Sequence, residues 1–331
     1  MGWRGALRSI EAAARRAERD ARRQHNELLR QQKHYDRMLL SEQAALEAHL
    51  FEHRIELLRS MQKECGPVWD WEGLKASPAP VPRAQKHDRE KSAQSALDSF
   101  QPTFWDKLFR NVETKRKALN DAIEDAQATD AKEYLESVGR YQHEFEEWNE
   151  KRDIAERVLA GDLTAYKEVF EEIAPFSEIS ELGSGVQFRF EDPVLIEITL
   201  TIRGQDAVPT ETKTLLQSGK LSTKKMPQGQ FYELYQDYIC GCVLRVANET
   251  FALLPFDKVI VTAVGDVLNT QTGHLEVKPL LSVVIPRGTL AKLDLNAIDP
   301  SDSMRNFICR MDFKKTKGFA VVDRIEAATL N

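Results

Sequence analysis

Asp266 and the triplet Glu276-Val277-Lys278 lie ten positions apart across a turn rich in Thr, Asn and Gly. An acid on one strand and a Glu-x-Lys on the next can hold Mg²⁺ or Mn²⁺ between two carboxylates while the lysine assists the attacking water. That is the chemistry of a metal-dependent nuclease, with Asp266, Glu276 and Lys278 as its catalytic residues. Direction counts against it. Asp266 closes its strand, Glu276 opens the next, and Pro279 follows at once. Three residue types at so loose a spacing also recur by chance, so the plainer reading is a strand end leaving a turn.

A second group, His49-Leu50-Phe51-Glu52-His53, fits an H-x-x-E-H pattern in which two histidines one helical turn apart bind zinc and the glutamate activates water. His53 falls on the apolar seam of its own helix, and the segment supplies neither a third ligand nor a shaped cavity, so no metal site is assigned to His49, Glu52 and His53. Cys240-Gly241-Cys242 sits within an apolar helix where residues two apart point in different directions, which reads as small core residues. In the last candidate, Arg310, Lys314, Lys315 and Lys317 interleave with Phe313 and Phe319. Cations pairing with phosphates and rings stacking on bases would make a nucleic-acid surface, which Lys213, Lys220, Lys224 and Lys225 could extend. Against it stands the commoner origin of such a run, a solvated turn leading Phe319 into the core.

These residues need elements to hold them. From Leu7 to about Glu64 there is no Pro or Gly, and Ile10, Ala14, Ala17, Ala21, Gln24, Leu28, Gln31, Tyr35 and Met38 step by threes and fours. That is a heptad seam, and it shifts by one four-residue step to Leu39, Gln43, Leu46, Leu50, His53 and Leu57. Residues 66–101, with Pro67, Pro78, Pro80 and Pro82, read as a linker. A second long helix is predicted from about Pro102 to Ala160, stopped by Gly161, with a late seam of Val138, Tyr141, Phe145, Trp148, Arg152, Ala155 and Leu159. A short helix capped by Asp162 follows and completes the 102–174 segment. Two matched helices joined by one break suggest an antiparallel two-helix coiled-coil arm, with pairing between two chains as the alternative.

After Pro175 the period changes from 3.6 to 2. Val186, Phe188 and Phe190, then Ile196, Ile198, Leu200 and Ile202, alternate with polar residues and predict a hairpin turning at Glu191-Asp192-Pro193. Residues 205–229 read as a long connection. A broad apolar helix over Gln230–Leu254 then leads to two strands without alternation, Lys258–Val264 and Leu280–Ile285, which implies cover on both faces. Asp299-Pro300-Ser301-Asp302 has the order of a cap, a first-turn proline and an early acid, and a last strand is expected near Phe319–Val322. The fold class is therefore α+β: a coiled-coil arm formed by residues 1–65 and 102–174, and a mixed-sheet head over 175–331.

Bulk charge narrows the function. The 46 basic and 52 acidic side chains leave a formal −6, which excludes a protein that coats nucleic acid with its whole surface. Residues 1–34 carry +5 while 121–172 are acidic, so charge complementarity between the two helices outweighs a nucleic-acid or membrane-binding arm. Four cysteines and the lack of a signal-peptide pattern read as a cytosolic chain with reduced thiols and no membrane association. The expected function is an interaction or scaffold protein without enzymatic activity, its head binding a protein partner and its coiled coil open to homodimer formation. The alternative is a metal-dependent nuclease, or a nucleic-acid binder acting through the head. A cofactor, Mg²⁺ or Mn²⁺, belongs only to the nuclease reading.

Overall fold

In the computed structural model of the protein, residues 40–103, 110–176, 185–202 and 207–329 are described. The seam of residues 10–38 and the start of the second helix near Pro102 to Phe109 lie largely outside them. The described helices are α1 (Leu40–Arg59), α2 (Trp71–Ala76), α3 (Asp88–Asp98), α4 (Val112–Leu159) and α5 (Leu163–Ile173). Then come strands β1 (Gly185–Asp192), β2 (Leu195–Thr201), β3 (Glu211–Leu215) and β4 (Leu221–Lys225), and helix α6 (Gln228–Leu253). The chain ends with β5 (Lys258–Leu268), β6 (Leu275–Pro286), short helices α7 (Arg287–Leu290) and α8 (Pro300–Ser303), β7 (Ile308–Lys314) and β8 (Gly318–Ala320). The molecule is thus a mix of helix and sheet containing one long helix and one mixed sheet. The described residues divide into two units, one within 73–154 and the other within 40–72 and 155–329.

The smaller unit is built on α4, whose 48 residues span about 72 Å at 1.5 Å per residue. Its seam rings touch one another: Tyr141 and Phe145 lie 6.0 Å apart, Phe145 and Trp148 5.4 Å, and the Arg152 guanidinium sits 5.6 Å over the Trp148 ring. The predicted linker is more ordered than its prolines imply. The Ser77 carbonyl accepts from Trp148 Nε1 at 2.9 Å, and α3 docks alongside α4. There Asp130, itself buried, accepts from the Glu90 backbone N–H at 3.1 Å, and Gln127 donates to Glu90 at 2.7 Å. Because α3 buries none of its residues and is held by polar contacts, no apolar period announced it.

In the larger unit a six-stranded sheet runs β1-β2-β5-β6-β7-β8. Neighbours are antiparallel except β2 and β5, which are parallel with Ile198 opposite Val261. A parallel pair needs a crossover, and this one contains the β3–β4 hairpin and α6. Residues 205–229, expected as a plain connection, thus hold a second small sheet. Its Thr, Ser and Lys residues give no apolar face to read, and it is anchored from outside by a 2.7 Å ion pair between Lys213 and Glu47 of α1.

Helix α6 is buried over most of its circumference, as an all-round apolar helix must be. One side covers the sheet face bearing Ile196, Ile198, Val259, Val261 and Val283. The other receives α1 and the 3₁₀ turn Met61–Lys63. A Cβ at Gly241 would lie 3.1 Å from Met61 Cβ and 3.2 Å from the Gln62 side-chain oxygen, so the glycine between the two cysteines lets the turn approach. This corrects the 1–65 helix: it stops at Arg59, since the chain must turn at Ser60 to bury Met61 and Gln62 on α6. Residues 40–72 accordingly belong with the sheet.

Cover on both faces of β5 and β6 holds, but the outer cover is a segment that the sequence did not announce. Residues 321–327 cross that face. Ile325 packs on Leu195, Ile260 and Val284, and its N–H donates to Ser282 Oγ at 3.0 Å, while Ser282 shares a 2.8 Å hydrogen bond with Thr262. The predicted caps are in place. Asp162 accepts from the Thr164 N–H at 2.8 Å, and Asp299 from Asp302 at 3.0 Å. Gly161 has φ +77° and meets Pro193 where a Cβ would stand, a position closed to other residues.

The C-terminal end of α6 is closed by Arg287. Its guanidinium donates to the carbonyls of Phe256 at 2.7 Å and Phe251 at 2.8 Å, and to that of Leu254, while lying 4.8 Å over the Phe251 ring. Arg287→Ala would leave the Phe251 and Phe256 carbonyls without this donor, while Leu254 keeps the Phe256 N–H at 2.9 Å, and is expected to destabilise the fold by about 3 kcal/mol. Arg287→Lys, lacking the fork, should recover only part of this in chemical denaturation.

Candidate functional site

The stretch Gly273-His274-Leu275-Glu276-Val277-Lys278-Pro279 is the exit of a hairpin. Asn269 organises the loop, its side-chain oxygen accepting from the Gln271 N–H at 2.9 Å and its backbone oxygen from the Gly273 N–H at 2.7 Å. Gly273 takes φ +75°. Strands β5 and β6 run further into this hairpin than predicted. Asp266 pairs with Val277, and Val267 with Glu276. Cross-strand partners share a face and neighbours along a strand do not, so Asp266 is on one face of the ribbon, and Glu276 and Lys278 are on the other.

The three residues of the nuclease reading are therefore not brought together. Glu276 is instead satisfied locally, by Lys278 at 2.9 Å and by Asn269 Nδ2 at 2.6 Å. These two, Lys278 foremost, hold its carboxyl below the usual value. On the Asp266 face the ribbon exposes Leu268, Leu275 and Val277.

His49 and Glu52 of α1 are exposed and His53 is half-buried. Among the described residues no group of three or more His, Cys, Asp or Glu side chains stands close enough to share a metal ion. Cys240 and Cys242 are both buried. Burial pushes the Cys242 thiol up to about 12 and that of Cys240 well above its ordinary value, so neither is poised as a thiolate.

The basic candidate residues are dispersed by a strand that the sequence reading missed. In β7, Ile308, Arg310, Asp312 and Lys314 alternate with Cys309, Met311 and Phe313. Arg310 donates to the Arg324 carbonyl at 3.2 Å, Lys315 pairs with Glu233 of α6, and Lys314 and Lys317 are exposed at the hairpin. Phe313 and Phe319 pack 5.2 Å apart, and Phe319 lies edge-on to Tyr235 at 5.9 Å. Their rings belong to the packing of β7 and β8 on α6 rather than to a stacking platform.

The side of β7 that faces α6 forms part of a cleft of about 770 Å³, within the range of ligand sites. Its floor is Met304, Phe307, Cys309, Met311 and Phe313, and Gln236 of α6 donates to the Met311 sulfur at 3.8 Å. Burial pushes the Cys309 thiol up to about 11. The walls carry charge from three elements. Glu233, Gln236 and Asp237 come from α6, Asp299, Ser301, Asp302 and Arg305 from around α8, and Lys315 from the β7–β8 turn, with Arg59 of α1 among the lining residues.

Most of these charges are already employed. Glu233 has Lys315. Asp302 faces Arg305 at 3.5 Å, and Asp299 caps α8 while accepting from Ser301 Oγ at 2.8 Å. Asp237 differs. Burial lifts its carboxyl above the usual range, and the charges of Asp299 and Glu233 add to the rise. The Ser301 hydroxyl and the more distant Arg59 offset it only in part. A half-desolvated carboxyl lining a cleft beside like charges is the arrangement by which functional sites hold a group away from its ordinary state. It had a sequence signal, since Glu233 and Asp237 stand one turn apart on α6, but the helix was read for its core and its acids were passed over.

Comparison with family models, with curated proteins and with solved structures finds no match to this chain. The cleft therefore has to be understood from its own chemistry.

Because the folded carboxyl of Asp237 binds its proton more tightly than the unfolded one, stability is greatest below the unfolded value and falls as pH rises through the window up to the folded value. Above that window the group opposes folding. Asp237→Asn should raise the thermal midpoint at pH 7, and the gain should shrink as the pH is lowered toward 3. A variant destabilised equally at both pH values would show that the carboxylate is structural.

Proposed function

We propose that this chain is an interaction protein without catalytic activity of its own, and that the cleft between α6, α8 and β7 is where its sheet-bearing unit takes hold of a protein partner. The cleft carries this reading: an apolar and sulfur-rich floor for affinity, ringed by paired charges for orientation, is the composition of a recognition surface. The one set of residues with a nuclease pattern is split across two faces of a ribbon, with its lysine spent on its own glutamate. Nothing in the described residues favours the nucleic-acid reading over this one.

Among the described residues no helix is long and apolar enough to cross a membrane. Helix α4 is the second component of the proposal. Its stripe of Val138, Tyr141, Phe145 and Trp148 is half open, with Leu135 and Phe145 exposed, and helices in proteins draw most of their stability from packing such a stripe. We take α4 as one strand of a coiled coil whose other strand carries a matching seam, in this chain or in a second copy.

For the cleft, the full-length chain is used as bait beside two variants, Met311→Lys on the floor and Lys315→Glu on the rim. A partner held by the wild type and lost from both, with thermal midpoints showing that both are folded, is the expected result. Retention by all three baits overturns the cleft. Incubation with plasmid and linear DNA in Mg²⁺ or Mn²⁺ is expected to give no cleavage, and cleavage abolished by Lys278→Ala would instead establish the enzyme. For α4, Phe145→Glu should cost about 1–2 kcal/mol if a partner strand covers the stripe. An unaltered unfolding curve and unaltered molecular mass would show that nothing does.

A further inference from the structure

We infer that the outer face of the sheet is a recognition surface for an extended peptide, one carrying an Arg, then a branched aliphatic residue and, two positions later, a small one. The chain's own Arg324, Ile325 and Ala327 occupy that surface in cis. It is separate from the cleft between α6, α8 and β7 and does not depend on the function proposed for that cleft.

Residues 321–326 cross the outer face without belonging to any strand. One backbone contact, from the Val322 N–H to the Pro279 carbonyl at 3.0 Å, starts the segment. From there side chains hold it. The Ile325 N–H donates to Ser282 Oγ at 3.0 Å, and two residues on, the Ala327 N–H donates to Glu197 Oε1 at 2.5 Å. The Arg324 carbonyl accepts from the Arg310 guanidinium at 3.2 Å, and the Arg324 side chain donates to Thr199 Oγ1 at 3.1 Å. Ile325 is the buried anchor, set among Leu195, Ile260 and Val284 with Ala327 beside it. Around it Val321, Asp323, Arg324 and Glu326 are exposed. Main-chain groups met by fixed partners, with a pocket for one side chain, are the means by which a folded domain holds a bound peptide.

The face itself is suited to that task. Thr262 and Ser282 are the polar residues in the buried runs 259–264 and 280–285 of β5 and β6, and neither is reached by water. Aliphatic residues would serve a face that needed only to be covered, since a buried hydroxyl is costly unless matched. Thr262 and Ser282 bond to each other at 2.8 Å, and Ser282 Oγ also takes the N–H of the segment. Glu197 is divided in the same way, with Arg189 on one oxygen at 2.7 Å and the Ala327 N–H on the other. Acceptors aimed at N–H groups two residues apart select a polypeptide backbone, and the carboxylate among them disfavours a phosphate-bearing ligand.

The hold on the segment is local. One buried side chain and a few hydrogen bonds at an exposed surface open more readily than strands covered on both faces. While the anchor is seated, the tether keeps the cis segment at high effective concentration and a free peptide competes poorly. Loss of the anchor side chain therefore uncovers the surface.

The test compares the full-length chain with its Ile325→Asp variant, using a fluorescent peptide of residues 320–331 as probe. The variant should bind the peptide at least tenfold more tightly than the wild type does, and the peptide should raise the thermal midpoint of the variant alone. The same peptide carrying Ile325→Asp should bind neither chain. In native-state hydrogen exchange of the wild type, the Ile325 and Ala327 amides should exchange at least a hundredfold faster than those of the buried runs of β5 and β6. Equal binding to both chains, or no binding to the variant, overturns the inference. So does a variant that loses its fold and is not restored by the peptide, or exchange of the two amides only on global unfolding, because the segment would then be an integral part of the core. A doubled molecular mass of the wild type that Ile325→Asp abolishes would overturn the cis arrangement, since the segment would be seated on a second copy.

Discussion

The fold depends on α6 being surrounded. A sheet with one parallel junction, between β2 and β5, requires a crossover, and the crossover helix buries one side of itself on the sheet. Its other side is as apolar as the first, so a second layer had to be found, and the chain supplies it from residues 40–72. The closest approach is at Gly241, where the 3₁₀ turn of Met61 and Gln62 comes within a side chain's width of the helix backbone. Polar groups follow the same logic. Arg245, buried in this layer, bonds to Glu249 on its own helix and to Glu64 on the covering segment, each at 2.7 Å. Trp71 donates through its indole to the Leu253 carbonyl at 2.8 Å. Each partner would be costly to leave alone in an apolar layer, so each fixes where the covering segment can lie.

The cleft is a consequence of this arrangement. Near the start of α6, Gln230 lies beside α1, and Glu233 and Asp237 turn toward a hollow that Arg59 of α1 also lines. The α8 region and β7 form its other sides. Where three elements converge without interdigitating, a hollow remains, and the residues around it are those that the surrounding core did not require to be apolar. Asp237 is therefore set at a boundary, close enough to the core to lose water and open enough to be reached. The sheet's other face shows the contrasting solution. There the hydroxyls of Thr262 and Ser282 bond to each other, Ser282 Oγ accepts the Ile325 N–H, and the C-terminal segment closes over them.

Much of the fold was legible in the sequence wherever one periodicity or one cap dominated. The α6 helix, the β1–β2 hairpin, the caps at Asp162 and Asp299 and the stop at Gly161 each rested on a local physical signal, and each stands. What escaped lacked that signal. The β3–β4 hairpin alternates Thr, Ser and Lys without an apolar face, and α3 docks through carboxylates and amides. Strand β7 did alternate, with Cys309, Met311 and Phe313 against Arg310, Asp312 and Lys314, but attention to its charges as a possible surface obscured its period. The same bias affected the site. Glu276 and Lys278 drew notice because they are adjacent in sequence, although adjacency of that kind is what lets two side chains on one strand face satisfy each other and do nothing more.

That contrast bears on how a recognition site differs from a structural ion pair. Glu276 with Lys278, and Arg157 with Asp162 and Glu168 at 2.9 Å, are charges whose partners come from nearby in the chain. Folding delivers both members together, so nothing is left for a ligand to supply. Asp237 is assembled the other way: its surroundings come from distant segments, and the desolvation and like charge they bring outweigh the Ser301 hydroxyl and the Arg59 charge. An amide of the same shape would carry no such pH-dependent cost.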